Sequence, residues 1–328
     1  MKAEADPNLI VHFGGKYIPL ADARVSILTH ALHYGTGVFE GIRAHWEESA
    51  QELFVLRPRE HFERWKRNCG VLRIEVPLSP EELCAVTLEL MRRNEFRTNV
   101  YIRPIAYKCA ERIGVAPDEQ DAFAIVAVPF GEYLHAEKGL HAGVSSWRRI
   151  EDNAIPARAK ICGAYANSAL ASDEARRSGF DEAILLDENG HVAEGATCNL
   201  FMARKGKLIT PPVTDNVLEG ITRDCVMTLA ARELGIEVVE RSIDRSELYV
   251  CDELFLTGTA VGLAPVVRVD HRPVGDGAIG PLTRRLVQLY FDATRGHLPV
   301  YRKWLMGVYQ TRQESGQEAA RLAETSVA

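Results

Sequence analysis

Short strand-like runs joined by glycine turns, with helical segments between them, extend through both halves of the 328-residue chain. Residues 9–13 and 16–18 flank the turn Gly14-Gly15, and a second pair of β-rich runs flanks Asn189-Gly190; both patterns are typical of β-hairpins. Ser79-Pro80-Glu81-Glu82 is a capping box with proline at the first helical position, and it predicts a helix that begins there. Hairpins and capped helices together predict a mixed α/β fold of the α+β type.

A polar segment bounded by Gly131 and Gly139 separates the two halves of the chain. At about 150 residues per domain, the length predicts two domains. We expect a small N-terminal α/β domain at residues 1–133, a linker at 134–143, a larger domain at 144–308 and a polar tail at 309–328.

The charge balance excludes some classes of partner. The formal net charge is −6, which provides no cationic field for nucleic acid or an anionic membrane, so any bound anion needs a local pocket. The longest uninterrupted apolar run, residues 122–130, is too short to span a membrane, and the first residues do not resemble a signal peptide. The seven cysteines cannot all pair and never form C-x-x-C. These features predict a cytoplasmic protein with reduced thiols and no nucleic-acid or membrane partner.

Lys160 is a single lysine within a run of small and apolar residues. No acidic residue occurs between Ile155 and Ala171, so an ion pair within the segment is impossible. Such surroundings disfavour the ammonium form and favour an amine nucleophile. The alternative is an ordinary exposed loop lysine, which the local sequence alone favours.

Two further segments offer polar groups that could bind a cofactor. Glu194 follows a predicted strand and could keep a heteroaromatic nitrogen protonated, or it could be a solvated turn carboxylate. Gly220-Ile221-Thr222 begins a predicted helix, where free amides and a hydroxyl could bind phosphate or where Thr222 could be a simple N-cap. Arg57 and Thr259, each near the end of a predicted strand, fit the phosphate interpretation.

Other candidates are less specific. His30 and His33 have near-helical spacing, but no nearby carboxylate or cysteine completes a metal shell, so we expect no metal site. Four aromatic residues could line a pocket or fill a core: Tyr34, Phe39, Phe130 and Tyr133.

Seven motifs occur in order between about residues 8 and 300. They are His30-Ala-Leu-His-Tyr-Gly-Thr-Gly-Val-Phe-Glu-Gly-Ile-Arg43, Arg57-Pro-Arg-Glu-His61, Tyr101-Ile-Arg-Pro104, Ile155-Pro-Ala-Arg-Ala-Lys160, Glu194-Gly195 with Asn199-Leu-Phe201, Gly220-Ile-Thr-Arg-Asp224 and Gly258-Thr-Ala260. Together they resemble the class IV aminotransferases that use pyridoxal phosphate, most closely the branched-chain amino acid aminotransferases. The resemblance implies the two-domain fold type IV, with a larger C-terminal pseudo-barrel domain and the cofactor in the interdomain cleft.

The resemblance also implies roles for the cofactor-binding residues. Lys160 would be the Schiff-base lysine and would carry the proton between the Cα and C4′ positions. Glu194 would pair with the pyridine nitrogen, and Tyr165 would hydrogen-bond the ring 3-oxygen. Leu218 would pack on the ring face, and the phosphate would be bound by Arg57, Ile221, Thr222 and Thr259.

The substrate would be held by a second set of residues. By resemblance, Tyr101, Arg103 and the turn at Thr259 and Ala260 would bind carboxylates, and the apolar pocket would comprise Tyr34, Phe39, Phe130 and Tyr133. The implied reaction moves the amino group of L-leucine, L-isoleucine or L-valine to 2-oxoglutarate, reversibly and by a ping-pong route through pyridoxamine phosphate. The implied enzyme is a homodimer whose partner loop near residues 114–116 completes the pocket.

The sequence departs from the family pattern at two places. Ala196-Thr197-Cys198 replaces the usual small-Gly-Glu run before Asn199, and Phe130 stands where tryptophan often precedes glycine. Three alternatives therefore stay open: a D-amino acid or amine aminotransferase, a lyase of the aminodeoxychorismate type that releases pyruvate, and a non-catalytic binding protein with the same fold.

Overall fold

The computed structural model describes residues 6–131 and 138–309 and contains two β-sheets. The first sheet begins with β1 (Ile10–Phe13), β2 (Lys16–Pro19), β3 (Gly37–Phe39), β4 (Ile42–Glu47), β5 (Glu52–Leu56), β6 (Val100–Lys108) and β7 (Asp121–Pro129). Its strand pairs are antiparallel, and β6 and β7 pair along their whole length, from Val100 opposite Pro129 to Lys108 opposite Asp121. The predicted N-terminal hairpin is confirmed by the pairing of β1 with β2.

The second sheet follows in the chain. Its strands are β8 (Leu140–Arg148), β9 (Glu182–Leu186), β10 (Val192–Gly195), β11 (Asn199–Arg204), β12 (Lys207–Thr210), β13 (Val238–Glu240), β14 (Glu253–Gly258), β15 (Gly262–Val269) and β16 (Arg272–Pro273). The order across this sheet is β10-β9-β8-β15-β14-β11-β12-β13, with β16 beside β15. The predicted hairpin around Asn189-Gly190 is confirmed as β9 and β10. A last strand, β17 (Leu305–Gly307), returns to the first sheet and pairs with β5.

Helices cover both sheets. They are α1 (His30–Tyr34), α2 (Pro58–Val71), α3 (Pro80–Arg93), α4 (Tyr165–Arg177), α5 (Ile221–Leu234) and α6 (Pro281–Thr294). The predicted capping box is confirmed at α3, because Ser79 Oγ accepts from the Glu82 amide (3.1 Å) and Glu82 Oε2 accepts from the Ser79 amide (2.7 Å). The suggestion that Thr222 is an N-cap is wrong, since Gly220 precedes α5 and Thr222 is its second residue.

Each sheet has its own apolar core. On the first sheet, Phe62 and Trp65 of α2 are fully buried in one cluster with Leu83 and Leu90 of α3. Along β11, Phe201 packs with α5 and α6, while Leu200 and Met202 face the opposite core, as the two-residue repeat of a strand requires. Apolar burial on both faces therefore fixes the second sheet between two layers.

Two details differ from the predicted domain limits. β8 begins at Leu140, inside the predicted linker 134–143, because its first residue already pairs with Val266 of β15. β17 lies within the predicted domain 144–308 but pairs with β5 of the first sheet. Tyr133 and most of the predicted tail, residues 310–328, lie outside the described residues. The division into domains otherwise stays a prediction.

The described helices were also compared with the dimensions of a bilayer. Among residues 6–131 and 138–309, no helix has both the length and the apolar content to cross a membrane. The cellular location of the protein stays a prediction.

Candidate active site

A cavity of about 310 Å³ is lined by residues of both sheets, a size suited to a small ligand. Among its lining residues are Phe39 of β3 and Tyr101 of β6 from the first sheet, and Glu194 of β10 from the second. The predicted site residues that line it are Phe39, Tyr101, Arg103, Phe130, Lys160, Tyr165, Glu194, Leu218, Ile221, Thr222, Thr259 and Ala260. Residues that are up to 221 positions apart in the chain thus share one cavity.

The segment that carries Lys160 is fixed against the first sheet. The Lys160 carbonyl accepts a hydrogen bond from the Phe39 amide at 3.0 Å. Nearby, a Cβ atom on Gly35, which has a φ of 66°, would lie 2.6 Å from the Gly163 Cα, so the two glycines allow a close approach of the chains. The backbone of Lys160 is therefore held at the boundary between the sheets.

The Lys160 side chain points into the cavity beside two aromatic rings. Its Nζ donates to the Tyr165 hydroxyl at 2.9 Å and lies 5.2 Å from the centre of the Phe39 ring. In the described ranges, no carboxylate lies within ion-pair distance of this amine. The amine is thus partnered by a hydroxyl that can orient it without neutralising it.

Glu194 is a buried carboxylate surrounded by donors. Its Oε1 lies 2.9 Å from Arg149 Nη2, and its Oε2 accepts from Asn199 Nδ2 (2.9 Å) and the Leu218 amide (3.2 Å). Burial raises the pKa of Glu194, and the Arg149 guanidinium opposes that rise. A carboxylate offers about four acceptor sites, so Glu194 can take one more donor from the cavity.

The opposite part of the cavity suits an anion. The first amides of α5, at Ile221 and Thr222, have no acceptor in a preceding turn and lie at the positive end of the helix. A Cβ atom on Gly220 would lie 2.0 Å from Asn199 Oδ1, so glycine permits this close approach of the helix start to β11. Amides, a threonine hydroxyl and a helix end together form a phosphate-binding arrangement.

Thr257 provides a test of whether the cavity is built for a ligand. Its side chain lines the cavity and is fully buried, and within residues 6–131 and 138–309 its Oγ1 has no hydrogen-bond partner. Thr257 also lies opposite Asn199 in the β11–β14 pair. Burying an unpaired hydroxyl is costly, so the orphaned Oγ1 indicates that a polar ligand belongs in this cavity.

Three predicted site residues do not line the cavity. Arg57 has a φ of 45° at the start of α2, and its guanidinium contacts Glu60 and Asp224, placing it against the first turn of α5. Tyr34 accepts a hydrogen bond from the Gly114 amide at 3.0 Å. Tyr133 lies outside the described residues. The roles of these residues stay predictions.

The cavity rim is aromatic and carries one arginine. Arg103 donates from Nη2 to the Tyr101 hydroxyl at 3.1 Å, and its guanidinium lies 4.3 Å from the centre of the Phe39 ring. The Tyr101 and Phe130 rings are 5.1 Å apart. Because Arg103 is exposed, its charge can meet an anionic group at the rim without being buried.

Arg43 is a positioning residue that the sequence analysis did not single out. It is buried, donates from Nη1 to the Ala260 carbonyl (2.8 Å), and donates from Nη2 to the carbonyls of Phe130 (3.1 Å) and Gly131 (3.0 Å). It therefore joins the turn at Ala260 to the segment that carries Phe130. Its place at the end of the first motif was the available signal.

A buried ion pair behind the cavity was also missed. Arg64 bonds both oxygens of Glu40, at 2.7 and 2.8 Å, and His61 Nδ1 lies 3.0 Å from the same carboxylate. Although burial opposes it, Arg64 and His61 hold the pKa of Glu40 well below its usual range. Arg64 also donates to the Glu219 carbonyl at 2.6 Å, so this pair connects α2 to the loop before α5.

Comparisons with known proteins place this arrangement in a family. Residues 37–269 match the model of the family described as "Amino-transferase class IV". A protein of Aquifex aeolicus (strain VF5) named "Probable branched-chain-amino-acid aminotransferase" is 51% identical over 298 residues, which are 90% of this chain and 96% of that protein.

Solved structures agree in fold. The branched-chain aminotransferase from Thermoproteus uzoniensis, solved with norvaline, has a TM-score of 0.88 at 41% identity and covers 92% of this chain and 99% of its own. The branched-chain amino acid aminotransferase of T.th., solved with pyridoxamine 5'-phosphate and separately with N-(5'-phosphopyridoxyl)-L-glutamate, has a TM-score of 0.86 at 42% identity, over 91% of this chain and 98% of its own. The predicted fold class is confirmed, and the chain belongs to the class IV aminotransferase family.

Proposed function

We propose that this chain is a pyridoxal-phosphate-dependent aminotransferase that moves the amino group of L-leucine, L-isoleucine or L-valine to 2-oxoglutarate. The observation that carries the proposal is that Lys160 Nζ, the buried Glu194 carboxylate and the start of α5 line one cavity. The names of the relatives and the ligands of the solved structures support it. The reaction is reversible and ping-pong, with pyridoxamine phosphate as the alternate form of the cofactor.

The residues in the cavity fit this cofactor. The amides of Ile221 and Thr222 and the side chain of Thr259 would bind the phosphate, and Glu194 would accept the pyridine N–H at its free acceptor site. Leu218 would contact the ring face. When bound, the cofactor supplies an electron-accepting ring and an aldehyde carbon with which Lys160 and the substrate amine can react in turn.

Lys160 would move the proton. Its Nζ takes the proton from the substrate Cα and delivers it to the neighbouring carbon, and the Tyr165 hydroxyl, 2.9 Å away, holds Nζ in place between these positions. Phe39 and Tyr165 pack edge to face with ring centres 4.6 Å apart and exclude water from this side of the amine. Phosphate binding at α5 fixes the cofactor, so the reacting atoms stay close.

Both substrates must use one pocket. The turn at Thr259 and Ala260, together with Tyr101, would bind the carboxylate next to the amino group, while Phe39 and Phe130 would contact an aliphatic side chain. The second carboxylate of 2-oxoglutarate would meet Arg103 at the rim, where its charge is balanced.

We expect Arg103→Gln to raise the KM for 2-oxoglutarate by about 10- to 100-fold, because a hydrogen bond between charged groups contributes about 1.5–3 kcal/mol. The KM for L-leucine, which has no second carboxylate, should change much less. Steady-state kinetics with each substrate varied separately measures both. Arg59→Gln removes an exposed arginine that pairs only with Glu63 and Glu81 in the described residues, and it should leave both constants unchanged. Equal increases for the two substrates would contradict the assignment of Arg103.

Substrate class is tested by initial rates. The proposal expects activity with the three branched-chain L-amino acids and 2-oxoglutarate, and little with D-alanine, simple amines or pyruvate as acceptor. Release of pyruvate without an amino acceptor would instead identify a lyase. Absence of any deamination of L-leucine, L-isoleucine and L-valine would exclude the proposed reaction even if the cofactor is bound.

A homodimer is part of the proposal. Two neighbouring segments expose large apolar side chains, and their members are Val25, Ile27, Leu28, Leu32, Ile113 and Val115. The segments contact each other, since His30 Nε2 lies 3.2 Å from the Val115 carbonyl and the Gly114 amide donates to Tyr34. A contiguous exposed apolar patch of this kind marks an interface, and a second copy of the chain would bring the loop at residues 114–116 to its partner's cavity.

Ile27→Asp is expected to convert the dimer into a monomer with half the mass and to reduce turnover, because the buried aspartate would be unpaired at the interface. Analytical ultracentrifugation gives the mass. Val300→Asp changes an apolar residue of similar exposure, 64% against 75%, outside the patch, and it should remain dimeric. If Ile27→Asp sediments like Val300→Asp, the patch is not the interface.

A further inference from the structure

A cluster of potential metal ligands lies outside the active-site cavity. Asp187, in the turn after β9, His191, at the start of β10, and Asp215, in the loop before α5, each place a possible ligand atom within 4.8 Å of the others. Asp187 is 2% exposed and Asp215 is 9% exposed. The cluster therefore joins two segments of the second sheet through buried carboxylates.

The negative charge of the cluster is not balanced by side chains. Asp215 Oδ2 is buried and has no hydrogen-bond partner within residues 6–131 and 138–309. In the same ranges, neither Asp187 nor Asp215 forms an ion pair with a lysine or arginine. Arg148, the nearest arginine in these contacts, donates to the backbone carbonyls of Asp187 and Glu188 instead. Two buried carboxylates without a cation are unfavourable, so a positive ligand is missing.

The histidine has the geometry of a metal ligand with an outer carboxylate. His191 Nδ1 lies 3.8 Å from Asp187 Oδ2, and His191 Nε2 lies 3.7 Å from Asp244 Oδ1, both too long for hydrogen bonds. Metal-binding histidines commonly direct their second nitrogen toward a carboxylate. Two ligand atoms bound at about 2.1 Å in a tetrahedral site lie about 3.4 Å apart, so a small contraction of the cluster would complete a site.

We propose that Asp187, His191 and Asp215 bind one divalent first-row transition-metal ion, with Zn²⁺ as the probe. Two carboxylate oxygens and one imidazole nitrogen suit such an ion. Mg²⁺ and Ca²⁺ prefer all-oxygen ligands in larger number and should bind weakly here. The ion contacts neither the cavity nor Lys160.

The position of the cluster assigns the ion a structural role. Next to Asp215, the Asn216 carbonyl accepts from Arg149 Nε at 3.2 Å, and Asn216 Nδ2 donates to Glu188 at 2.6 Å. The bound ion would therefore fix the loop before α5 against the turn between β9 and β10. Binding to the folded state alone raises the melting temperature.

The test uses the holoenzyme after removal of metals with EDTA. Equilibrium dialysis against Zn²⁺, followed by elemental analysis, should give one more Zn²⁺ per chain for the wild type than for Asp215→Asn or His191→Gln, with affinity lowered more than about tenfold in both variants. Zn²⁺ should raise the Tm of the wild type and not that of the variants. Asp22→Asn, an exposed aspartate outside the cluster, should behave as wild type.

Two outcomes would overturn the proposal. One is that the wild type retains no Zn²⁺ after dialysis. The other is that the wild type and both variants bind equal amounts with equal shifts in Tm, which would place zinc on thiols or other groups. His191 is 38% exposed at its side chain, so His191→Gln is expected to fold even if the buried Asp215→Asn does not, and it then decides the result.

Discussion

Lys160→Ala is expected to lower kcat with L-leucine and 2-oxoglutarate by about 10⁴-fold or more, the largest effect of any single substitution in this chain. The variant loses the amine that reacts with the cofactor and the group that moves the substrate proton, and proton transfer alone contributes about 10²- to 10⁴-fold. The fold should survive, because the contact that fixes this segment comes from the Lys160 carbonyl, not from its side chain. Stopped-flow and steady-state assays measure the rate, and the visible absorbance of the bound cofactor should shift.

Two controls make this result specific. Lys160→Arg keeps a positive charge in the cavity but supplies no comparable nucleophile, so it should be nearly as inactive. Lys16→Ala removes an exposed lysine of β2 and should leave both the rate and the spectrum unchanged. An unaltered spectrum in Lys160→Ala would refute the bond to the cofactor, and substantial turnover would refute the proton-transfer role.

Glu194→Gln should have the second largest effect, a fall in kcat of about 10²-fold or more together with a loss of about 3 kcal/mol in the free energy of unfolding. Each carboxylate oxygen of Glu194 accepts from a donor: Oε1 from Arg149, and Oε2 from Asn199 and the Leu218 amide. A glutamine must direct its NH₂ group against one of these donors, and it leaves the buried Arg149 without an opposite charge. It also cannot hold the pyridine nitrogen protonated as a carboxylate does.

Glu182→Gln is the matched control. Glu182 is buried on β9, next to β10, and its Oε1 accepts only from the amides of Ala183 (2.9 Å) and Ala196 (3.4 Å) within the described residues. Glutamine retains that oxygen, and burial already raises the pKa of Glu182, so losing its charge costs little. Chemical denaturation and kinetics should show small changes for Glu182→Gln. Similar effects in the two variants would mean that Glu194 has only a structural role.

The sequence predicted features whose cause is local. A capping box is a set of contacts among four consecutive residues, and a hairpin turn depends on two or three, so α3 and the two hairpins could be predicted from short segments. The predicted N-cap at Thr222 was wrong for the same reason: either Gly220 or Thr222 can begin a helix, and the close contact of Gly220 with Asn199, 21 residues earlier, decides between them.

The residues that support the site could not be predicted in this way. Arg149 pairs with Glu194, which is 45 residues later, and Arg64 reaches the Glu219 carbonyl, which is 155 residues later. No spacing rule connects such partners, because the packing of two sheets brings them together. The motifs identified the cavity-lining residues through resemblance, but the ion pairs that hold them required the fold.

The return of β17 to the first sheet has a consequence for synthesis on the ribosome. The carboxylate of Glu52 on β5 is fully buried, and its Oε1 accepts from the amides of Val308 (2.8 Å) and Tyr309 (2.9 Å). Until those residues emerge, β5 remains an open edge strand beside an incompletely bonded carboxylate. The N-terminal sheet, although translated first, therefore reaches its final form only after nearly the whole chain has left the exit tunnel, so nascent chains of this enzyme depend on protection of that edge until translation is almost complete.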